Sequence, residues 1–359
     1  MKHVSTVVFG AGILACVASA CGGPAPEPAA TANTAPAPAP APPDVAAYVT
    51  NETSGDLSII DAATGTAVGT IPLGKRPRGL VASPDRRYLY VALSGSPVAG
   101  PGVDESKLPP PDRSADGIGV VDLTARKLLK VLTSGTDPEQ VAINAAGTHL
   151  YVANEDAALM SVIDIAEGRV LETFKVAGEP EGVSVDPSGR VWVTSEEEGT
   201  VYVIDVAAHK VLKAVKVGPR PRSVAFSPDG SRAYVPSENG ATITVIDARR
   251  LAPIRTIPLG EGVRPMGTVM SADGATLYVS TGRSKMVMFL DPKVNEVLAA
   301  VEVGPRPWGI ALSPDGRTIF TANGPSNDVS VIDVATRTVT KKIPVERGPW
   351  GVVVVERAR

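Results

Sequence analysis

Seven times the chain sets a side chain directly after a proline that opens an apolar run, and the seven are unlike one another: Arg78, Glu139, Glu181, Arg222, Met266, Trp308 and Trp350. Directly before the same prolines stand Arg76, Asp137, Glu179, Arg220, Arg264, Arg306 and Gly348. Trp308 and Trp350 beside Arg306 and Arg264 compose an aromatic platform with cationic edges, which suits a ring-bearing or anionic ligand. Equally, two tryptophans at equivalent repeat positions suit packing of one repeat against the next. Glu139 and Glu181 are a carboxylate pair of the kind that pushes pKa values apart when close, but nothing in the sequence places a substrate between them.

The elements that carry these residues are legible as repeats. Segments opening at Tyr48, Tyr90, Tyr151, Trp192, Tyr234, Tyr278 and Phe320 read YVTN, YVAL, YVAN, WVTS, YVPS, YVST and FTAN, at spacings of 42, 61, 41, 42, 44 and 42 residues. That period is the length of one four-stranded propeller blade. In each copy an apolar strand follows the proline, a turn such as SPDG ends it, and the aromatic strand follows. A third strand then closes on Asp61, Asp122, Asp164, Asp205, Asp247, Asp291 or Asp333 before a short turn into an outer strand. Seven aspartates at one repeat position read as turn caps rather than as seven active sites.

The chain begins its first copy at the aromatic strand and finishes with GPWGVVVVE, an innermost-type strand. The expectation is an all-β fold: a seven-bladed β-propeller with four-stranded blades over residues 45–359, its ring closed by N- and C-terminal strands sharing one blade. The loops before the innermost strand and after the second strand open on one face. The residues around the prolines therefore decorate the mouth of the central channel, with two adjacent acidic blades, basic residues over much of the remainder and two adjacent tryptophans. The YVTN segment at 48–51, the SPDG turns and the VIDVATR phrase resemble the YVTN family of β-propeller repeat proteins. That resemblance covers the whole propeller and implies the architecture. Members of that pattern include surface-layer and periplasmic proteins of unknown role, with more distant relatives among lactonases and the propeller parts of cytochrome or quinoprotein enzymes, so function must be argued from the site.

On the same face the second-strand loops carry Glu52, Glu155, Asp156, Glu196 to Glu198 and Glu238, which read as a solvated acidic rim rather than a calcium site. One connection, about 94–117, holds an insertion of some nineteen residues, placed to cap the mouth or meet a partner. His149 and His209 fall in turns of the opposite face, and no CxxCH, GxSxG or phosphate-loop motif occurs. No catalytic residue, metal site or cofactor is assigned on these grounds.

The first 21 residues place Lys2 and His3 ahead of an apolar run from Val4 to Val17 and end in ASAC at Cys21, which resembles a lipoprotein signal with its lipidated cysteine. Cys16, in LAC, is the competing position. Residues 22–44 alternate proline with alanine and read as an extended tether. The chain carries 35 Lys and Arg against 38 Asp and Glu; loss of the leader leaves a formal charge of −4, which marks neither a polyanion specialist nor a cationic membrane binder. Export and lipid anchoring to a bacterial membrane follow, at the outer membrane facing the periplasm or at the cell surface, with the membrane reached only through the anchor. The leading reading is a monomeric, non-enzymatic binding scaffold whose mouth and inserted loop take an envelope protein or a small ring-bearing or anionic ligand. The alternatives are a lactonase-like hydrolase or an accessory to a quinone or haem dehydrogenase, either needing a bound metal or cofactor, and single-stranded nucleic-acid binding by the arginines and tryptophans.

Overall fold

Every repeat becomes four antiparallel strands because its apolar runs alternate with turns that proline, glycine and aspartate preset. The computed structural model describes residues 43–98, 104 and 107–358. Cys21 and the tether up to residue 42 lie outside the described residues. There are seven four-stranded sheets. Blade 1 runs outward from the channel as Pro349–Glu356, Val45–Asn51, Asp56–Asp61 and Thr66–Pro72. Its register, from Val45 opposite Glu356 to Val49 opposite Val352, joins the two ends of the chain and closes the ring. Innermost strands Pro77–Ala82, Pro138–Ile143, Pro180–Val185, Ala225–Phe226, Pro265–Met270 and Pro307–Leu312 open blades 2 to 7. Among the described residues no helix is long and apolar enough to cross a membrane.

The third strands, such as Leu159–Asp164, are buried on both faces, which is why they read as unbroken apolar runs. Apolar clusters form between neighbouring sheets; Tyr48, Leu57 and Ile71 of blade 1 pack with Leu89, Val91 and Val121 of blade 2. The aspartates that end the third strands cap their turns: the Asp61 carboxylate accepts from the Ala63 amide at 2.8 Å, and Asp122 from the amides of Thr124 and Ala125 at 2.8 Å each. The asparagine of YVTN has a separate task. Asn51 donates to Asp56 at 2.6 Å and Ser58 at 2.8 Å, and Asn323 repeats the clamp on Asp328 and Ser330 at 2.6 and 2.9 Å.

The glycine two places after the blade-opening proline answers to crowding around the channel. A Cβ on Gly309 would sit 2.7 Å from the Trp350 carbonyl oxygen, and one on Gly351 would sit 2.7 Å from that of Arg78. Neighbouring innermost strands come this close because seven of them share a narrow ring. Gly309→Ala is therefore expected to lower stability by about 1–3 kcal/mol, read as a lower urea midpoint at unchanged slope; an unshifted midpoint would show that the ring can widen at no cost.

Candidate functional site

Two sets of backbone bonds aim the mouth residues. In five blades the residue that follows the second strand donates its amide to the carbonyl before the proline: Glu52 to Gly348 at 2.8 Å, Glu155 to Asp137 at 2.9 Å, Glu196 to Glu179 at 3.0 Å, Glu238 to Arg220 at 2.9 Å and Gly282 to Arg264 at 2.8 Å. Hydroxyls of the second strands then hold the residue after the proline in the next blade, as Thr50 donates to the Arg78 carbonyl at 2.7 Å and Ser280 to that of Trp308 at 3.0 Å. The variable side chains thus project from a fixed ring of main chain.

Within the acidic loops Asp156, Glu197 and Glu198 are exposed as a rim would be, but Glu52, Glu155, Glu196 and Glu238 lie within 4 Å of arginines. Arg78 is only 6 % exposed and lies through Nη1 in an ion pair with Glu139, which is fully buried; the same nitrogen is 3.9 Å from Glu155, while Nε comes within 3.6 Å of Glu52 and Nη2 within 3.9 Å of Glu181. Arg222 pairs with Glu196 and reaches Glu181 at 3.2 Å and Glu238 at 2.7 Å. Arg220 pairs with Glu196, and Arg76 with Glu52 at 2.9 Å and Asp137 at 3.7 Å. Carboxylates turned toward the channel meet guanidinium groups there, since a buried charge is tolerated only when paired. The expected separation into an acidic sector and a basic remainder is accordingly replaced, over blades 1 to 5, by neutralised clusters.

Nor do the tryptophans stand as a free platform. Trp308 and Trp350 stack on each other with ring centroids 5.6 Å apart and planes at 20°. Arg78 lies over Trp350 at 4.8 Å and Arg222 over Trp308 at 5.0 Å, so four side chains from blades 2, 1, 7 and 5 form one layer across the channel. Above this layer is a cup of about 650 Å³, and below it a chamber of about 390 Å³. Glu181, Arg222, Met266, Trp308 and Trp350 line both, forming the floor of one and the ceiling of the other.

Of the residues singled out in the sequence, Arg76, Arg78, Glu181, Arg220, Arg222, Met266, Arg306, Trp308 and Trp350 line the cup. Glu139 lies buried behind Arg78, and Arg264 bonds Asn239 at 2.6 Å outside the cup lining. The insertion supplies one wall through Ser96 to Val98 and Leu108 to Pro111. It is fastened by Lys75 to Asp112 at 2.6 Å, by an ion pair between Arg113 and Asp156, and by Ser94 to Asp137. Two lining residues carry more than the sequence suggested. Arg283 is exposed in the cup wall, and Glu155 is the one carboxyl there held well above its ordinary range, at about 7. Burial is the main cause, reinforced by Glu181 and Asp137 and opposed by Arg78 and Arg76.

Asp137, Glu139 and Glu155 each offer an oxygen within 4.8 Å of the others, a spacing that could hold a cation. The guanidinium of Arg78 already lies against two of the three, so the chain supplies its own positive charge there.

Fold and site define a seven-bladed β-propeller with a charged cup at one mouth of a channel divided by an aromatic layer. Two family models match parts of the chain: a YNCE-like β-propeller over residues 112–232 and a lactonase, 7-bladed β-propeller over residues 182–342. No curated protein matches the sequence. Similar solved structures include a hydrazine synthase chain of Kuenenia stuttgartiensis at 22 % identity and TM-score 0.69, covering 80 % of this chain and 92 % of that one. A protein from Lactobacillus plantarum superposes at TM-score 0.73 with 18 % identity over 87 % of this chain and 99 % of its own. A putative 6-phosphogluconolactonase from Bacteroides uniformis does so at TM-score 0.69 with 21 % identity, again over 87 % and 99 %. Likeness at these identities carries the fold.

Proposed function

We propose that the cup is a small-molecule site and that the protein is a lactonase-like hydrolase. The observation that carries this reading is Glu155, a carboxyl titrating near pH 7 in the wall of a charged cup whose floor is aromatic. A sugar lactone fits such a place. Its ring would sit above the arginine–tryptophan layer that floors the cup, and arginine N–H groups would stabilise the oxyanion formed from its carbonyl. Ionised Glu155 would take a proton from water as the water oxygen bonds to the carbonyl carbon; the ring C–O bond then breaks and the proton passes to the leaving alkoxide. The match of a lactonase family model to residues 182–342 and the putative 6-phosphogluconolactonase among the similar structures support the same reading.

The test is hydrolysis of a panel of aldonolactones by the full-length protein, followed as proton release. Acceleration that rises with pH through about 7 and falls about 10²-fold or more in Glu155→Gln is expected. Absence of turnover across the panel would sink the hydrolase and restore the binding scaffold for an envelope protein, pursued by pull-down from membranes. Membership of the YVTN repeat proteins, export and lipid anchoring at Cys21 complete the proposal. The leader, ASAC and the Pro/Ala tether support the anchoring, and release into the soluble fraction by Cys21→Ser tests it.

A further inference from the structure

We propose that Arg306 and Arg283, on blades 7 and 6, form an oxyanion-binding subsite of the cup that receives a phosphate or carboxylate group of the ligand. The inference rests on the cup being the ligand site and narrows the ligand to an anionic class. Four observations carry it.

The first is the pairing of the arginines. Arg76, Arg78, Arg220 and Arg222 each meet at least one carboxylate, whereas among the described residues Arg306 and Arg283 make no ion pair and no hydrogen bond. The second is the cause, visible in the repeat. The position after the second strand is Glu52, Glu155, Glu196 and Glu238 in blades 1, 3, 4 and 5, but Gly282 and Gly324 in blades 6 and 7. The carboxylate that would neutralise this sector is absent by sequence.

The third is backbone conformation. Arg306 has φ +47°, the left-handed turn shared by its cup-lining counterparts Arg76, Asp137 and Arg220 with φ +41°, +52° and +56°. Arg76, Asp137 and Arg220 meet opposite charges from that placement, whereas Arg306 does not. The fourth is its setting. The guanidinium of Arg306 rests 5.2 Å over Trp308, is partly buried, and is held below its usual pKa by burial first and then by Arg222 and Arg283, against the opposing pull of Glu238 and Glu52. With one face on the indole, its in-plane N–H groups remain open for a bidentate oxyanion. Two like charges gathered in a concave wall without a carboxylate in ion-pair contact attract an anion.

Isothermal titration of the full-length protein with inorganic phosphate and with gluconate distinguishes the two groups. Saturable binding of at least one anion, weakened at least tenfold in Arg306→Met and in the exposed Arg283→Met but unchanged in Arg250→Met on an outer turn, is expected. No binding of either anion, or binding that survives both cup variants, overturns the subsite. Anion binding without turnover of any lactone would remove the hydrolase and leave the subsite standing. Equal hydrolysis of neutral and anionic lactones, unaffected by Arg306→Met, would do the reverse.

Discussion

Replacing Arg78 by methionine is expected to lower stability by about 3–5 kcal/mol, the cost of leaving a buried carboxylate without its partner. Glu139 has no exposure, and Arg78 is its sole ionic partner among the described residues. The same guanidinium covers Trp350 and lies within 4 Å of Glu52, Glu155 and Glu181. Its loss therefore gathers four carboxyl groups around one neutral stem. Methionine keeps much of the volume, so the effect is electrostatic rather than a cavity. Urea denaturation of Arg78→Met and of Arg78→Met/Glu139→Gln separates the causes: the double variant should recover about 1–3 kcal/mol. Strict additivity of the two substitutions would mean that Arg78 acts through Trp350 or its other three carboxylate neighbours and not through Glu139.

That ion pair also shows how far the sequence reaches. Blade number, strand order, ring closure and the turn-capping aspartates follow from a repeat of 41 to 44 residues interrupted once, because each rests on local periodicity and turn chemistry. For the same reason six of the seven post-proline side chains, all but the buried Glu139, line the cup. Their partners were not readable. Whether Glu52 or Glu196 faces water or the channel depends on the bond from its amide to a carbonyl of the turn before an innermost strand, some 17 to about 300 residues away in sequence, and charge alone says nothing of that direction. Trp308 and Trp350 suit either a ligand platform or packing when read alone; the structure stacks them on each other and lays Arg78 and Arg222 over them from blades 2 and 5. Arg283 stands one residue beyond the repeat position that carries glutamate elsewhere. Aligning the seven copies by the residue after YVTN exposes the missing carboxylates of blades 2, 6 and 7, where Ser94, Gly282 and Gly324 stand; blades 6 and 7 are the adjacent pair.

Glu155 makes stability depend on pH in the opposite sense to an ordinary paired carboxylate. Its folded-state pKa is about 7 against a reference value of 4.5, so between those values the native state binds more protons than the unfolded chain. The contribution is complete below about pH 4.5 and is lost as pH rises through 7. A difference of this size is worth at most about 3 kcal/mol; the side chain keeps 30 % exposure, and screening brings the expected change to about 2 kcal/mol. Asp112 and Asp229, held at about 2 by hydrogen bonds, lose their contributions only at lower pH, outside the window. Denaturation midpoints of the wild type and Glu155→Gln between pH 5 and 8 should therefore diverge, the variant gaining on the wild type as pH rises. The lactone assay supplies the second arm, because the base form of the same group is the one that activates water. If the rate rises with the midpoint at which the stability difference appears, both report one proton on Glu155. If the stability curves run parallel, the carboxyl is already ionised across the window, and the hydrolase reading loses the group on which it stands.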